Sequence, residues 1–303
     1  MQAFSPDSGV GFFAHNNRCQ FDPNLWSDVI AVYLPGDRFA VAKGFGYSSN
    51  SAQVGGCLAF EVLAPFVTHI TKFRGAGQLL DGAVLRKGPA PSGMHIGLDV
   101  DLTYTALGPP FGVGDLKPGA LGHTHYEQHL SVQGHITVDG VRTAIDGTGF
   151  RDHTWGPRDL SVMGNHHWMH GQFPSGKWFS TMVVSRRGGG QPLLDFHLIG
   201  DQAGTTRASR LSPPPLLAEE SEVWNPWEVQ LQTGDGVEVI RGEILAPMPF
   251  SFVGPVEMTL GIDRGPNASH AIYESQSRLT WNGETGFGLC ERSVARPERK
   301  PIS

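Results

Sequence analysis

Apolar and polar residues alternate along many short segments of the chain, and this pattern predicts β-strands. The clearest case is the segment 94–105, where apolar residues are separated by acidic or hydroxylated ones. Because successive side chains of a strand point to opposite faces, the segment has one face for a core and one for water. The apolar set is Ile96, Leu98, Val100, Leu102 and Tyr104, and the polar set is Asp99, Asp101 and Thr103.

Turn-forming residues separate these strand-like segments at short intervals. Asp139-Gly140 lies between two such runs, and Asp-Gly favours the primed turns that hairpins need. The segments 35–37 and 174–176, both rich in Pro and Gly, separate two further pairs of runs. Helical periodicity is weak, and the best helical candidate is the short segment 216–224. We therefore predict an antiparallel, all-β fold.

The number of predicted strands exceeds what one compact barrel holds. We therefore expect two tandem antiparallel β-barrels or sandwiches packed together, an N-terminal domain at residues 1–148 and a C-terminal domain at 149–303. The segments 186–191 and 200–220 are rich in Gly, Pro or Ser and are predicted to be loops.

The net charge argues against one functional class, and the cysteine content indicates the redox compartment. The formal net charge is −6, whereas a nucleic-acid binder normally carries a basic face. The three cysteines, Cys19, Cys57 and Cys290, are scattered and odd in number, which fits a reducing compartment. Neither a signal-like start nor an apolar run of membrane-spanning length is visible. We expect a cytoplasmic protein with no membrane span.

The segment 147–159 concentrates side chains that suit acid–base chemistry, and Pro157 is expected to end its strand. One interpretation is a lattice of Arg and Asp that braces a barrel end. The other is an acid–base site in which neighbouring arginines tune a carboxyl or an imidazole. The strand pattern divides the residues into Arg151, His153 and Trp155 on one face and Asp152 and Thr154 on the other.

A second segment, 123–135, carries histidines on one face of a predicted strand. His123, His125, Glu127 and His129 share that face, while Leu130, Val132 and Ile136 lie on the other. The polar face is either solvated or functional. A His-x-His pair with a carboxylate suits Zn, Fe or Mn, and such histidines also serve proton transfer.

A third segment, 166–170, places His166, Trp168 and His170 on one strand face. These rings either form the polar wall of a ligand cavity or pack across strands with satisfied nitrogens. Near the C-terminus, Glu291 is expected to pair with an arginine such as Arg151 or to face a cavity. Neither Gly-x-Ser-x-Gly nor a dinucleotide-binding fingerprint occurs.

Four motifs stand in a characteristic order along the chain: Tyr126-Glu127-Gln128, then 149–158, then Tyr273-Glu274, then 286–292. Together they resemble the lipocalin-like superfamily of carotenoid 1,2-hydratase and the AttH-like proteins. The specific part is Arg-Asp-His-Thr-Trp-Gly at 151–156, which is similar to a bacterial branch with an Arg-Asp-His-x-Trp-Gly segment. The resemblance implies two tandem β-barrel-like domains that share an interface, and relatives that include hydratases of isoprenoid alkenes.

The residues and the resemblance together predict a cofactor-independent lyase or isomerase of hydratase or dehydratase type. Its substrate would be a hydrophobic small molecule, terpenoid or phenolic, in a barrel or inter-domain cavity. Asp152 or His153 would donate a proton, and a histidine or Glu127 would accept one. The candidate catalytic residues are Asp152, His153, His125, Glu127, His167 and His170, and the candidate substrate-binding residues are Arg151, Trp155, Arg158, Tyr126, Trp168 and Glu291.

Two alternatives stay open at the level of sequence. One is a non-catalytic carrier of a lipid or terpenoid. The other is a metal-dependent enzyme that uses His123, His125, Glu127 and His170 as ligands. In the leading hypothesis Trp155 and Trp168 would stabilise positive charge, and the arginines would bind a carboxylate or phenolate. We expect no cofactor and no nucleic-acid partner, and a homodimer is left open.

Overall fold

The computed structural model describes residues 1–19, 22–48, 53–112, 121–156, 158–201, 204–253 and 257–297. These residues form antiparallel strands for the most part, arranged in two compact units. The first unit contains Met1–Gly112 and Tyr126–His153, and the second contains the described parts of Val113–His125 and Thr154–Ser303. The all-β fold of two lipocalin-like barrels is therefore confirmed. That each barrel is a separate domain, divided at residue 148, stays a prediction.

The described residues of the first half of the chain form eleven strands and one short helix, and several of the strands are longer than ten residues. They are β1 (Gln2–Ser5), β2 (Val10–Cys19), β3 (Asp22–Leu34), β4 (Arg38–Tyr47), β5 (Gln53–Gly55), β6 (Leu58–Ala64), β7 (Thr68–Asp81), α1 (Gly82–Lys87), β8 (His95–Ala106), β9 (Phe111–Gly112), β10 (Thr124–Val138) and β11 (Val141–Trp155).

The first unit is a closed barrel. Its sheet runs in the order β4-β3-β2-β1-β11-β10-β8-β7, and a further pairing of β4 with β7 closes the ring. Closure leaves the ring without an unpaired edge. Strands β5, β6 and β9 attach outside this ring, β6 on β7 and β9 on β10.

The apolar face predicted for the segment 94–105 fills this barrel. Leu98, Val100, Leu102 and Tyr104 are each at most 2% exposed and belong to one core cluster. Burial of such side chains stabilises the fold by roughly 1.5–3 kcal/mol each. The predicted apolar set of β10, which is Leu130, Val132 and Ile136, belongs to the same cluster.

In the second half of the chain, the residues that the structure describes form ten strands and two short 3-10 helices. The 3-10 helices are Leu160–Val162 and Glu220–Trp224, and the strands are β12 (Met163–Gln172), β13 (Trp178–Arg186), β14 (Leu194–Asp201), β15 (Gly204–Arg207), β16 (Ser209–Arg210), β17 (Trp227–Thr233), β18 (Gly236–Val253), β19 (Glu257–Leu260), β20 (Ala268–Trp281) and β21 (Glu284–Ala295).

The second unit is also a barrel-like antiparallel sheet. Its sheet runs in the order β15-β14-β13-β12-β21-β20-β18-β17-β16. The two sides of the sheet approach each other where the Ala208 N–H donates a hydrogen bond to the His197 carbonyl at 3.1 Å. Met169, Phe179 and Leu279 lie in the core cluster inside this barrel. Residues that share a strand face with them therefore point inward.

The predicted turns are present. β10 ends at Val138 and β11 begins at Val141, and between them Asp139 and Gly140 have φ angles of 49° and 80°, as a primed turn requires. The segments 35–37 and 174–176 likewise connect β3 to β4 and β12 to β13. Turn chemistry read from the sequence was therefore sufficient to predict these hairpins.

Two local predictions were wrong. The segment 216–224 forms no α-helix, but only the 3-10 helix Glu220–Trp224, whose first turn is held by a capping box between Glu219 and Glu222. The predicted loop 200–220 contains β15 and β16. Pro157, which was expected to end the strand, lies outside the described residues, and β11 ends at Trp155, two positions earlier in the sequence. In the part of the chain that the structure describes, no helix is long and apolar enough to cross a membrane.

Candidate functional site

Arg151 points into the first barrel near one end of β11. Gly149, two residues earlier, faces the interior, since a Cβ added there would lie 2.8 Å from the Tyr104 ring. Residues two apart on a strand share a face, so Arg151 points the same way. Its side chain is buried, with 8% exposure. A guanidinium therefore lies on the inner wall of the barrel.

The guanidinium of Arg151 binds two neutral groups. Nη1 contacts Nε2 of His69 at 3.1 Å, and Nη2 donates to the Tyr126 hydroxyl at 2.9 Å. The guanidinium carbon also lies 5.2 Å from the centre of the Tyr126 ring. None of its partners among the described residues is a carboxylate. The lattice of Arg and Asp is therefore wrong for Arg151.

The protonation of these partners follows from their surroundings. Burial, together with the positive charge of Arg151, lowers the pKa of His69 to about 4, so the imidazole is neutral at pH 7. Because Arg151 donates to Nε2 of His69, the ring proton lies on Nδ1. The Tyr126 oxygen accepts from Arg151, which leaves the phenolic hydrogen to point elsewhere as a donor.

Aromatic rings surround this group. The ring of Tyr126 lies 5.4 Å from that of His153 and 5.6 Å from that of Phe66. Gln128 donates to the carbonyls of Phe66 and Gly108, both at 2.9 Å, and so ties two loops to β10. We call Arg151, His69, Tyr126 and His153 the Arg151 cluster. It combines a cation, a phenol and two imidazoles with apolar ring surface.

Other predicted residues lie on the opposite strand faces. Asp152 alternates with Arg151, and Glu127 alternates with Tyr126. Glu127 is 0% exposed and His129 is 4% exposed, so of the two interpretations of this face the solvated one is wrong for both residues. Burial lowers the pKa of His129 to about 3. Its ring stacks on Phe111, with the centroids 5.8 Å apart.

In the second unit, His125 and Thr154 lie beside β12. Nδ1 of His125 contacts the Thr154 hydroxyl at 2.6 Å. The His125 ring meets Trp168 edge-on, with centroids 6.2 Å apart, and Trp168 lies 5.8 Å from His170. The structure thus brings together three of the predicted residues, His125, Trp168 and His170.

The remaining predicted residues are dispersed. Trp155 is 64% exposed and packs on His123, while Arg158 forms a strand bridge with Leu121. Glu291 contacts Nε2 of His166 and not Arg151, so that expected pair is not formed. His167 points into the second barrel, because Met169 on the same face of β12 belongs to the core there.

Within the described ranges, no group of three or more His, Cys, Asp or Glu side chains lies close enough together to hold a metal ion. The ligand set of the metal-dependent alternative, which is His123, His125, Glu127 and His170, is therefore not assembled there.

The sequence analysis did not identify His69 or Phe66. His69 is opposite Tyr104 in the β7–β8 register, and its partner Arg151 comes from a strand much further along the chain. Alternation along β7 indicates only that His69 and Phe73 share a face. Without the strand pairing, no local signal shows which arginine would meet this histidine.

The fold and the Arg151 cluster define a two-barrel, lipocalin-like protein with a buried cation inside its first barrel. The chain belongs to the family described as a domain of unknown function, DUF7064, whose model matches residues 1–296. Its fold is similar to the crystal structure of a protein provisionally named AttH from Nitrosomonas europaea. The TM-score is 0.58 at 14% identity, over 96% of this chain and 89% of the other. A comparison with curated proteins found no significant match.

Proposed function

We propose that the protein is a cofactor-independent lyase or isomerase, of hydratase or dehydratase type, that acts on a hydrophobic small molecule at the Arg151 cluster. One observation carries this proposal: Arg151 is a buried cation whose hydrogen-bond partners are neutral. An uncompensated charge in a protein interior costs several kcal/mol. An acidic oxygen of a substrate, either carboxylate or phenolate, would offset that cost.

Tyr126 and His153 are the acid–base pair in this proposal. Arg151 contacts the phenolic oxygen and would stabilise the negative charge that develops when Tyr126 gives up its proton. The ring of His153, 5.4 Å from Tyr126, is close enough to reach the same substrate. Arg151 and His153 share a strand face that excludes Asp152, which favours His153 over Asp152 as the second group.

The chemistry balances without a further reactant. In dehydration, the acid protonates the leaving hydroxyl, the C–O bond breaks to release water, and the base removes a proton from the neighbouring carbon to form the alkene. Hydration is the reverse, and water supplies both the hydroxyl and the returning proton. The faces of Tyr126 and Phe66 suit an apolar substrate and any positive charge on carbon.

The test is a screen of terpenoid and phenolic alkenes that carry a carboxylate or phenol, read by mass spectrometry as the gain of one water. For a compound that reacts, Tyr126→Phe and His153→Asn are each expected to lower kcat by about 100-fold or more, with substrate binding retained. His135→Asn is the control, because His135 lies at the other end of β10 and contacts Arg142. It is expected to keep full activity.

The same variants distinguish an enzyme from a carrier. Tight binding of a terpenoid without turnover, unaffected by Tyr126→Phe and His153→Asn, would make the protein a carrier. Turnover that survives both substitutions would move the active site away from the Arg151 cluster.

A further inference from the structure

A chain of hydrogen bonds runs across strands β14, β13 and β12 of the second barrel. Oδ1 of Asp195 contacts Nε2 of His197 at 2.6 Å, and Nδ1 of His197 contacts the Thr181 hydroxyl at 2.6 Å. The same hydroxyl contacts Nε2 of His167 at 3.4 Å. Thr181 and His197 are directly opposite in the strand register. Side chains from three neighbouring strands thus form one connected network.

The donor and the acceptor of each hydrogen bond in this network follow from the charge of Asp195 at its end. Burial opposes the charge of Asp195, but hydrogen bonds from Arg210 and His197 lower the pKa of the carboxyl, so it is ionised and can only accept. Burial lowers the pKa of His197, so its ring is neutral and carries one proton. His197 therefore donates from Nε2 to Asp195, and its Nδ1 accepts from the Thr181 hydroxyl. The Thr181 oxygen in turn accepts from Nε2 of His167. It follows that Nδ1 of His167 carries no proton and is an acceptor.

This acceptor is unsatisfied. His167 is 0% exposed, and its Nδ1 has no hydrogen-bond partner among the residues that the structure describes. Burial, reinforced by the nearby His197, lowers the pKa of His167 well below its ordinary value, so the ring is neutral. An unsatisfied buried acceptor destabilises a fold by about 1–3 kcal/mol.

An unsatisfied donor lies opposite. Arg292 on β21 is the direct register partner of His167 and is 3% exposed. Its Nη2 donates to the carbonyls of Val223 at 2.7 Å and Asn225 at 3.1 Å, while Nε has no partner within the described ranges. Burial raises the pKa of the neighbouring Cys290 thiol to about 12, so the thiol supplies no negative charge. Arg292 is thus a second buried cation with neutral partners.

We propose that His167 and Arg292 form a second ligand site, inside the second barrel, for a small acid that carries a hydroxyl group beside its carboxylate. The carboxylate accepts from Nε of Arg292, and the hydroxyl donates to Nδ1 of His167. The network from Asp195 through Thr181 holds His167 in the tautomer that this contact needs. The site does not depend on the Arg151 cluster.

The experiment uses the full chain labelled with ¹⁵N-histidine, and glycolate and acetate as probes. In the free protein, His167 and His197 are expected as Nε2–H tautomers, with the His167 signals assigned from their loss in His167→Gln. Glycolate is expected to shift Nδ1 of His167 in a saturable titration. Acetate, which lacks the hydroxyl, is expected to bind about tenfold more weakly.

Matched variants test the role of the network. Thr181→Val removes the hydroxyl that joins His197 to His167, and it is expected to abolish the tautomer preference and weaken glycolate binding by about tenfold. Thr181→Ser keeps the hydroxyl and is expected to restore both. Tyr126→Phe, in the Arg151 cluster, is expected to leave the glycolate titration unchanged.

Three results would each overturn this inference. They are an Nδ1–H tautomer of His167 in the free protein, equal affinity for glycolate and acetate, and the absence of any saturable shift with either probe. None of these results bears on the lyase proposal, which depends on turnover and on Tyr126 and His153.

Discussion

Arg151 and His69 lie 82 positions apart in the chain, and the arginine Nη1 contacts the histidine Nε2 at 3.1 Å. The contact joins the last part of β11 to the first part of β7 inside one closed barrel. The neutral histidine can hold the guanidinium in place without cancelling its charge. This arrangement leaves the positive charge of Arg151 in place, whereas a carboxylate partner would neutralise it.

Other partly buried arginines of the chain show the usual alternative. Arg86 pairs with Asp37, Arg210 with Asp195 and Arg296 with Glu220. Arg151 and Arg292 are both more deeply buried, at 8% and 3%, and their hydrogen-bond partners in the described ranges are neutral. Because deeper burial increases the need for compensation, these two are the arginines whose charge most needs a functional explanation.

The first prediction separates a binding role of Arg151 from a structural one. Arg151→Met removes a buried charge without leaving a carboxylate unpaired. The free energy of unfolding is therefore expected to stay within about 1 kcal/mol of wild type or to rise. Turnover of a substrate found in the screen is expected to fall by about 100-fold or more. Urea denaturation and steady-state kinetics on the same preparation measure both.

Arg86→Met is the matched control for this prediction. Arg86 is paired with Asp37, so its loss leaves a partly buried carboxylate without its cation. The variant is expected to lose about 1 kcal/mol of stability and to keep turnover. If Arg151→Met instead lowers the free energy of unfolding by several kcal/mol, the role of Arg151 is structural. The proposed function then loses its main support.

The second prediction concerns the titration of His69, followed residue by residue by NMR. Its pKa in the folded protein is about 4, against an ordinary value of 6.5. Because the folded pKa is the lower one, the unfolded chain binds the proton first as pH falls. The contribution of His69 to stability is therefore complete above pH 6.5 and is lost progressively as pH falls towards 4.

The same titration in Arg151→Met tests the cause of the shift. Burial is the larger cause and the charge of Arg151 the smaller one. The pKa of His69 is therefore expected to rise in the variant but to stay below 6.5. An unchanged pKa would mean that the guanidinium does not act on His69, and a wild-type value near 6.5 would mean that the imidazole is not held neutral.

Local patterns predicted the elements of the fold more fully than the contents of the site. Alternation in the segment 94–105 was sufficient to predict which side chains of β8 fill the barrel, and Asp139-Gly140 predicted its hairpin. These features depend on residues adjacent in sequence. Arg151 could be predicted as a candidate because five acidic, basic or aromatic side chains follow it within the next eight residues. His69, by contrast, is supplied by strand pairing over a long separation.

The surroundings of His167 in the second barrel also depend on strand pairing. His167 was predicted as a catalytic candidate because it lies among histidines and a tryptophan, but its neighbours in sequence point to the opposite face. Its actual partners are Thr181, from the next strand, and His197 beyond it. A period of two predicts which face a residue occupies, whereas the register of two further strands decides what it meets there.

The third prediction tests whether the face of β11 that carries Arg151 points into the barrel. A methyl group at Gly149 would lie 2.8 Å from Cδ1 of Tyr104 and 3.4 Å from Cβ of Leu130, and Tyr104 is fully buried. Gly149→Ala is therefore expected to destabilise the protein by about 1–3 kcal/mol, because the buried ring must move. Gly97→Ala on β8 is the control, since nothing lies within 4 Å of its added methyl group, and it is expected to be close to neutral. Equal denaturation midpoints for the two variants would mean that Gly149 does not face the core. Arg151 shares the face of Gly149, so its guanidinium would then not be buried in the barrel, and the proposed substrate site would lose its basis.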